Sequence, residues 1–226
     1  GGVPEYHVHN RLPTEKLQNC RQMSIKNAYL KAYNVSSALA WTAILLKDIF
    51  DRFPGQLYGT GEYNSFPHKL LTEVQTANAI VEIFHSVSGL VPSPLPSLLL
   101  QFFARLVITL GISYHVPHSP GNYSKAYSVL IVAWSITEII RYSFYAAKQF
   151  GRMPRQLLWL RYLSFILLYP LGLMSEPVVV YKTLGHVSGA YYCFLAFGMC
   201  LYVPGFLFLY LYMWRQRAKY LTHRGK

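Results

Sequence analysis

A series of long apolar segments, separated by turn-forming residues, constrains this chain more than any other feature. Six segments are each close to the ~20 residues that cross ~30 Å of hydrocarbon as a helix. They span residues 29–50, 70–91, 95–116, 127–148, 154–176 and 187–214. Pro and Gly punctuate the connections, as in Phe53-Pro54-Gly55. The sequence therefore predicts an all-α, polytopic membrane protein with six transmembrane helices in one bundle.

Composition supports a membrane protein over a soluble domain. Of the 226 residues, 53% are hydrophobic and only 13% are charged, whereas about 25% are charged in an average soluble domain. We expect a polar cytoplasmic tail at residues 1–28, the six-helix domain at 29–214 and a basic cytoplasmic tail at 215–226. The second segment departs from a purely apolar span, because Glu73, Glu82 and His85 lie within it.

Positive charge predicts the orientation of the bundle. If the helices alternate, both tails and the connection after the fourth segment share one side, and the few remaining basic residues near the membrane lie on the other: Arg52, Lys69, Lys125 and Lys182. The positive-inside rule then places both termini in the cytoplasm. The start of the chain is polar and gives no sign of a cleavable signal peptide. This distribution explains the net charge of +12 without a nucleic-acid partner.

Charged residues within the apolar segments need an explanation, because each costs about 2.5–3.5 kcal/mol at the bilayer centre on insertion scales. We expect them to point inward and to pair: Glu82, Arg105, Glu138, Arg141, Arg161 and Glu176. Glu138 and Arg141 are three residues apart and can bridge on one helix face. Such pairs either lock helices together or orient a functional site, and both interpretations stay open.

Tyr169 and Glu176 form the most informative pair. Seven residues are two helical turns, so the side chains point about 20° apart and lie about 10 Å apart along the axis. Pro170 disturbs the helix beside Tyr169, Gly172 leaves space on the next turn, and Pro177 is expected to end the helix. This segment therefore predicts a pocket wall that carries an acid and a base. A Tyr near a membrane edge is more often an interfacial anchor.

Two kinds of chemistry lack the residues that they require. A cysteine phosphatase needs a glycine-containing phosphate loop that ends in Arg, whereas Cys20 is followed six residues later by Lys26 without those glycines. Cys193 and Cys200 most simply fill an apolar helix. The histidine pairs at positions 7 and 9 and at 115 and 118 are too isolated to form a di-iron site. We therefore expect neither a metal nor another cofactor.

Several motifs resemble one family. The run from Trp134 to Tyr145, the pair Arg161-Tyr162 and the run from Leu168 to Glu176 closely resemble the very-long-chain (3R)-3-hydroxyacyl-CoA dehydratases, also called protein-tyrosine-phosphatase-like proteins. The likeness covers about residues 29–220. It implies a multi-pass enzyme of the endoplasmic reticulum membrane that performs the third step of fatty-acid elongation beside the condensing enzyme and the reductases. Pro177 departs from the family pattern, which has an aliphatic residue there.

The resemblance also implies that Tyr169 and Glu176 are catalytic. Dehydration of a 3-hydroxyacyl thioester removes a proton from C2 and expels the hydroxyl from C3, so one base and one acid suffice. Glu176 is the preferred base and Tyr169 the preferred acid, with the reverse assignment open. Glu138, Arg141 and Arg161 are expected to support the site.

Basic residues at the cytoplasmic edge are candidates for binding the anionic CoA part of an acyl-CoA substrate. They are Lys148, Arg152, Arg155, Arg215 and Arg217. The same cations could serve only to orient the protein in the bilayer. A competing function is a catalytically silent membrane scaffold that binds partner proteins. A transporter is disfavoured, since neither an internal repeat nor a pair of broken helices is evident.

Overall fold

The computed structural model describes residues 14–52 and 68–222, and within them all regular structure is helical. The seven α-helices are α1 (Thr14–Arg52), α2 (His68–Val87), α3 (Leu95–Leu106), α4 (Lys125–Gln149), α5 (Arg155–Leu163), α6 (Phe165–Leu184) and α7 (Gly189–Thr222). A π-helical segment, Val107–Tyr114, extends α3, and a short 3-10 helix, Pro120–Tyr123, precedes α4. The prediction of an all-α fold is confirmed.

Four helices in the described residues are long and apolar enough to cross a membrane. They are α3 with its π-helical extension (Leu95–Tyr114), α4, α6 and the part of α7 from Gly189 to Lys219. By the same criteria α1 and α2 are too polar or too charged. Length and apolarity therefore support four of the six spans that the sequence predicted.

Helix α4 is central, with α1 packed on one side and α6 on the other. It contributes the largest share of the buried core, which continues into α1, α2, the π-helical segment, α6 and α7. The core comprises Trp41, Ile44, Leu71, Ile108, Ile112, Tyr127, Leu130, Ile131, Trp134, Tyr142, Val179, Val180 and Leu195. Helix α7 packs mainly against α6 and is the least buried of the apolar helices.

Local residues explain where α4 begins and ends. The Ser124 side chain accepts a hydrogen bond from the backbone N–H of Tyr127 and so caps the first turn. At the other end Gly151 has a φ of +72°, the left-handed conformation that commonly terminates helices. The tight 3-10 segment before α4 packs against α6, where a Cβ atom on Gly121 would lie 2.6 Å from the Val179 carbonyl oxygen.

Several helix boundaries differ from the sequence-based predictions. Helix α1 begins at Thr14, within the segment predicted as a polar tail, and α7 continues past Trp214 to Thr222. The fifth predicted segment is interrupted at Ser164, between α5 and α6.

The prediction that Pro177 ends its helix is wrong, because α6 continues to Leu184. Proline removes one backbone hydrogen bond and crowds the carbonyl four residues earlier, but a helix packed against neighbours can tolerate both in a membrane. The turns beyond Pro177 are held by burial of Val179 and Val180. Their end is also fixed by a 2.6 Å hydrogen bond between the hydroxyls of Ser119 and Thr183.

Candidate active site

A cavity of about 150 Å³ lies between α3, α4, α6 and α7. Its wall is mostly aliphatic and aromatic, and both Tyr169 and Glu176 belong to it. The other polar or charged side chains in the wall are Gln101, Arg105, Trp134, Thr137 and Tyr202. An apolar pocket with a few convergent polar groups is the common form of a small-molecule site.

The Tyr169 ring lies at the contact between α6 and α7. Its centroid is 6.2 Å from that of Phe206 and 6.4 Å from that of Tyr210. Pro170 follows it within α6, and Gly172 is buried one turn further on. The phenol is thus packed between aromatic rings at one end of the cavity.

Glu176 is held by a residue from another helix. The indole nitrogen Nε1 of Trp134 on α4 donates a hydrogen bond of 2.7 Å to Glu176 Oε1. A Cβ atom on Gly172 would lie 3.6 Å from the same oxygen, so glycine keeps space open beside the carboxyl group. The Tyr202 side chain from α7 also lies on the cavity wall, where it interacts with the Glu176 carboxyl group.

A buried network of charges adjoins the cavity. Arg105 lies with its guanidinium carbon 5.0 Å from the centroid of the Trp134 ring and pairs with Glu138. Glu138 Oε2 accepts a 2.8 Å hydrogen bond from Arg141 Nε, and Arg141 in turn pairs with Glu82. Of the six charged residues predicted to turn inward and pair, these four form ion pairs, whereas Glu176 and Arg161 form none within residues 14–52 and 68–222. Of the four, Arg105 alone lines the cavity, whereas Glu138 and Arg141 lie behind it.

Arg161 lies away from this network. Its guanidinium carbon is 6.0 Å from the ring centroids of Phe144 and of Tyr145 on α4, and the residue does not line the cavity. These contacts join α5 to α4. The structure therefore separates Arg161 from Glu138 and Arg141, the other two predicted supporting residues.

The predicted CoA-binding residues lie in two groups. Lys148, Arg152 and Arg155 are exposed around the connection from α4 to α5. Arg215 is exposed near the end of α7, and Arg217 packs over the Trp214 ring, with its guanidinium carbon 4.9 Å from the ring centroid. A contact between the rings of Phe165 and Trp214 brings the start of α6 to the end of α7. Both groups therefore lie at the same end of the bundle.

Sequence reasoning assigned no site role to Arg105, Trp134 or Tyr202, although all three line the cavity. Arg105 carried a usable signal, because an ionisable residue within an apolar segment is a functional candidate by default. Trp134 is four residues before Glu138 and so shares its helix face. Tyr202 carried no such signal among 19 tyrosines.

Residues 14–52 and 68–222 contain no group of three or more His, Cys, Asp or Glu side chains that could hold a metal ion. Cys20 is exposed on α1. Cys193 and Cys200, expected to fill an apolar helix, are exposed on α7.

With this geometry in view, comparisons with known proteins identify the family. Residues 75–223, which include every residue of the cavity, match the model of the protein tyrosine phosphatase-like protein family, PTPLA. The chain belongs to this family. No solved structure matches it.

Several curated proteins are similar to this chain over most of its length. A protein of Schizosaccharomyces pombe named "Probable very-long-chain (3R)-3-hydroxyacyl-CoA dehydratase" is 37% identical, over 86% of this chain and 93% of its own length. A very-long-chain (3R)-3-hydroxyacyl-CoA dehydratase of Caenorhabditis elegans is 36% identical, over 90% and 99%. Another from Arabidopsis thaliana is 35% identical, over 88% and 95%.

Proposed function

We propose that this protein dehydrates very-long-chain 3-hydroxyacyl-CoA to trans-2-enoyl-CoA, the third step of fatty-acid elongation. The observation that carries the proposal is the presence of Tyr169 and Glu176 on the wall of one apolar cavity. The names of the curated relatives supply the substrate class. The cavity favours this reaction over a silent scaffold, which does not need a carboxyl and a phenol in a shared pocket.

The reaction requires one proton acceptor and one proton donor. Glu176 takes the proton from C2, and the electrons of that C–H bond form the double bond between C2 and C3. The C3–O bond breaks as Tyr169 donates its phenolic proton, so the hydroxyl departs as water. The proton held by Glu176 then returns to the phenolate, directly or through the product water, and restores both groups. The opposite assignment of acid and base obeys the same balance.

Two residues of the cavity wall orient the base and stabilise the negative charge that develops on the substrate. The Trp134 N–H fixes one oxygen of Glu176, so the second oxygen can accept the C2 proton. Arg105 is the one cation in the described cavity wall. Its positive charge stabilises the enolate-like oxygen of the thioester while the C2 proton leaves. Glu138 and Arg141 hold Arg105 in place from behind.

The CoA part of the substrate binds at the basic end of the bundle. Lys148, Arg152, Arg155, Arg215 and Arg217 provide positive charge for its phosphates. The cavity wall extends along α7 from Leu195 to Leu209, towards this basic end. The pantetheine arm follows that wall and brings the thioester to Tyr169 and Glu176.

In the cell, the protein has six spans in the endoplasmic reticulum membrane, and both termini face the cytoplasm. Helices α1 and α2 complete the bundle, and several of their polar residues are buried within it, among them Asn34, Asp48, Gln75 and Asn78. Glu82 pairs with Arg141, and Asn78 accepts a 2.8 Å hydrogen bond from the Trp41 indole. The condensing enzyme and the reductases of the elongation cycle are its partners.

The decisive test incubates the purified protein in lipid nanodiscs with a 3-hydroxyacyl-CoA and measures the trans-2-enoyl product by mass spectrometry. Tyr169→Phe and Glu176→Gln should each lower kcat by at least about a hundredfold, the lower limit for loss of a general acid or base. Tyr192→Phe is the matched control, because Tyr192 is exposed on α7 outside the cavity. Product formation by both active-site variants at the wild-type rate would reject the proposed roles.

A further inference from the structure

We infer that the acyl tail of the substrate leaves the cavity through an opening between α3 and α7, so that its far end lies in the lipid. This inference rests on the proposed function. It predicts which residues the tail contacts and how chain length affects turnover. The argument uses the closed inner end of the cavity, its closed side between α6 and α7, its open side between α3 and α7, and the length of the substrate.

The cavity is closed at the end furthest from the basic residues. Val180 and Leu195 form its wall there and are each 1% exposed, within the packed core. Just beyond them, the Tyr191 hydroxyl donates a hydrogen bond to the Gly111 carbonyl and ties α7 to the π-helical segment. No acyl chain can pass through this end without unpacking the core.

Towards the basic end, aromatic rings close the side of the cavity between α6 and α7. The Tyr169 ring contacts those of Phe206 and Tyr210, and the Phe206 and Tyr210 rings stack with centroids 5.1 Å apart. Phe165 then contacts Tyr210 and Trp214, at 5.8 and 5.5 Å between centroids. A tail therefore has no path between α6 and α7.

The open side lies between α3 and α7. Three residues of the cavity wall are exposed in the described structure, and all three belong to these helices: Leu100 at 38%, Phe103 at 51% and Leu201 at 43%. Phe103 meets Phe194 edge to face, with centroids 6.1 Å apart, which marks one border of the opening. Within the wall, Gly198 has no atom within 4 Å of where its Cβ would lie, so space remains beside it.

The length of the substrate makes such an exit necessary. On α6 the cavity extends only four residues beyond Glu176, to Val180, which is about 6 Å at ~1.5 Å per residue. An ordinary lipid tail fills half of a hydrocarbon layer ~30 Å thick, and a very long acyl chain is longer still. Most of the tail must therefore lie outside the closed part of the cavity.

The chemistry of the opening fits an acyl chain. Leu100, Phe103 and Leu201 are apolar, and the neighbouring exposed residues of α3 and α7 include Leu99 and Phe197. Each methylene of the tail that moves from water to this surface or to lipid is stabilised by the hydrophobic effect. The anionic CoA gains nothing there and stays at the basic end.

Leu201→Trp tests this exit by narrowing it. We expect the ratio of kcat/KM for a twenty-four-carbon substrate to that for an eight-carbon substrate to fall at least about tenfold, because only the long tail must pass the opening. Gly198→Phe, which fills the space from inside, should lower the same ratio. Val203→Trp is the matched control, because Val203 is 64% exposed on α7 and lies outside the cavity wall. Thermal unfolding in nanodiscs shows that each variant is folded, independently of its turnover.

The inference would be overturned if the ratio of kcat/KM for the two chain lengths were unchanged in both Leu201→Trp and Gly198→Phe. A second measurement does not depend on turnover. A twenty-four-carbon acyl-CoA with a diazirine at the end of its chain, photolysed with the wild type in nanodiscs, should label lipid and the residues around Phe103 and Leu201. Labelling confined to Val180 and Leu195 would refute the exit. Absence of enoyl product at every chain length instead refutes the proposed function, while the labelling still reports the path of the tail.

Discussion

Replacing Trp134 by Phe removes one hydrogen bond to Glu176 and keeps an aromatic ring in place. The bond is 2.7 Å long, and Trp134 is 3% exposed, so water cannot easily substitute for the indole N–H. A hydrogen bond to a charged group is worth about 1.5–3 kcal/mol. If it holds the carboxyl in its reactive orientation, kcat should fall by about ten- to a hundredfold. We expect KM to change less, because the ring still lines the cavity.

The assay measures kcat and KM for enoyl-CoA formation in nanodiscs, with thermal unfolding as the control for folding. Trp159→Phe is the matched variant, since Trp159 is 63% exposed on α5, and it should retain wild-type kinetics. A double-mutant cycle sharpens the test. In a Glu176→Gln background, Trp134→Phe should cause little further loss, because its effect acts through that carboxyl. A kcat within twofold of wild type, or additive losses in the cycle, would refute the assigned role of Trp134.

Three further predictions concern stability and CoA binding. Glu138→Gln leaves two buried arginines with less counter-charge and should lower the free energy of unfolding by about 3 kcal/mol, measured by denaturant titration in detergent. An unchanged unfolding midpoint would contradict the stabilising role of this ion-pair network. Gly121→Ala forces a Cβ towards the Val179 carbonyl and should lower the free energy of unfolding by about 1–3 kcal/mol in the same assay. Gly185→Ala is the control and should leave that free energy unchanged, because a Cβ at Gly185 has nothing within 4 Å. Neutralising three basic residues at the basic end of the bundle should raise KM several-fold, and the rise should be smaller at high salt because free ions screen exposed charges. Lys182→Gln is the control, and an unchanged KM would refute CoA binding at this end. The three are Arg152, Arg155 and Arg215, each changed to Gln.

Much of the fold could be read from local sequence. A run of apolar residues long enough to cross a bilayer predicts a helix whatever its neighbours are, and α3, α4, α6 and α7 follow this rule. Helices α1 and α2 carry polar and charged residues, which explain why apolarity alone does not identify them as spans. The end of α6 could not be predicted, because Pro177 is outweighed by burial of the residues that follow it.

The candidate site, too, could be predicted only in part from the sequence. Tyr169 and Glu176 are seven residues apart on one helix, so helical periodicity alone indicated that they face one direction. Periodicity could not indicate what they face. The hydrogen bond to Glu176 comes from Trp134, 42 residues earlier in the chain, and Glu138 pairs with Arg105, which is 33 residues away.

By itself, the sequence determined a helical membrane protein with ionisable residues that must turn inward, because the cost of charge in hydrocarbon acts on each residue separately. The tertiary structure alone decided that α4 brings Trp134 to Glu176, that Arg105 joins the cavity, and that the exposed residues of the cavity wall lie on α3 and α7. These features depend on how helices pack against one another, and contacts between residues distant in the chain leave no periodic signal in the sequence.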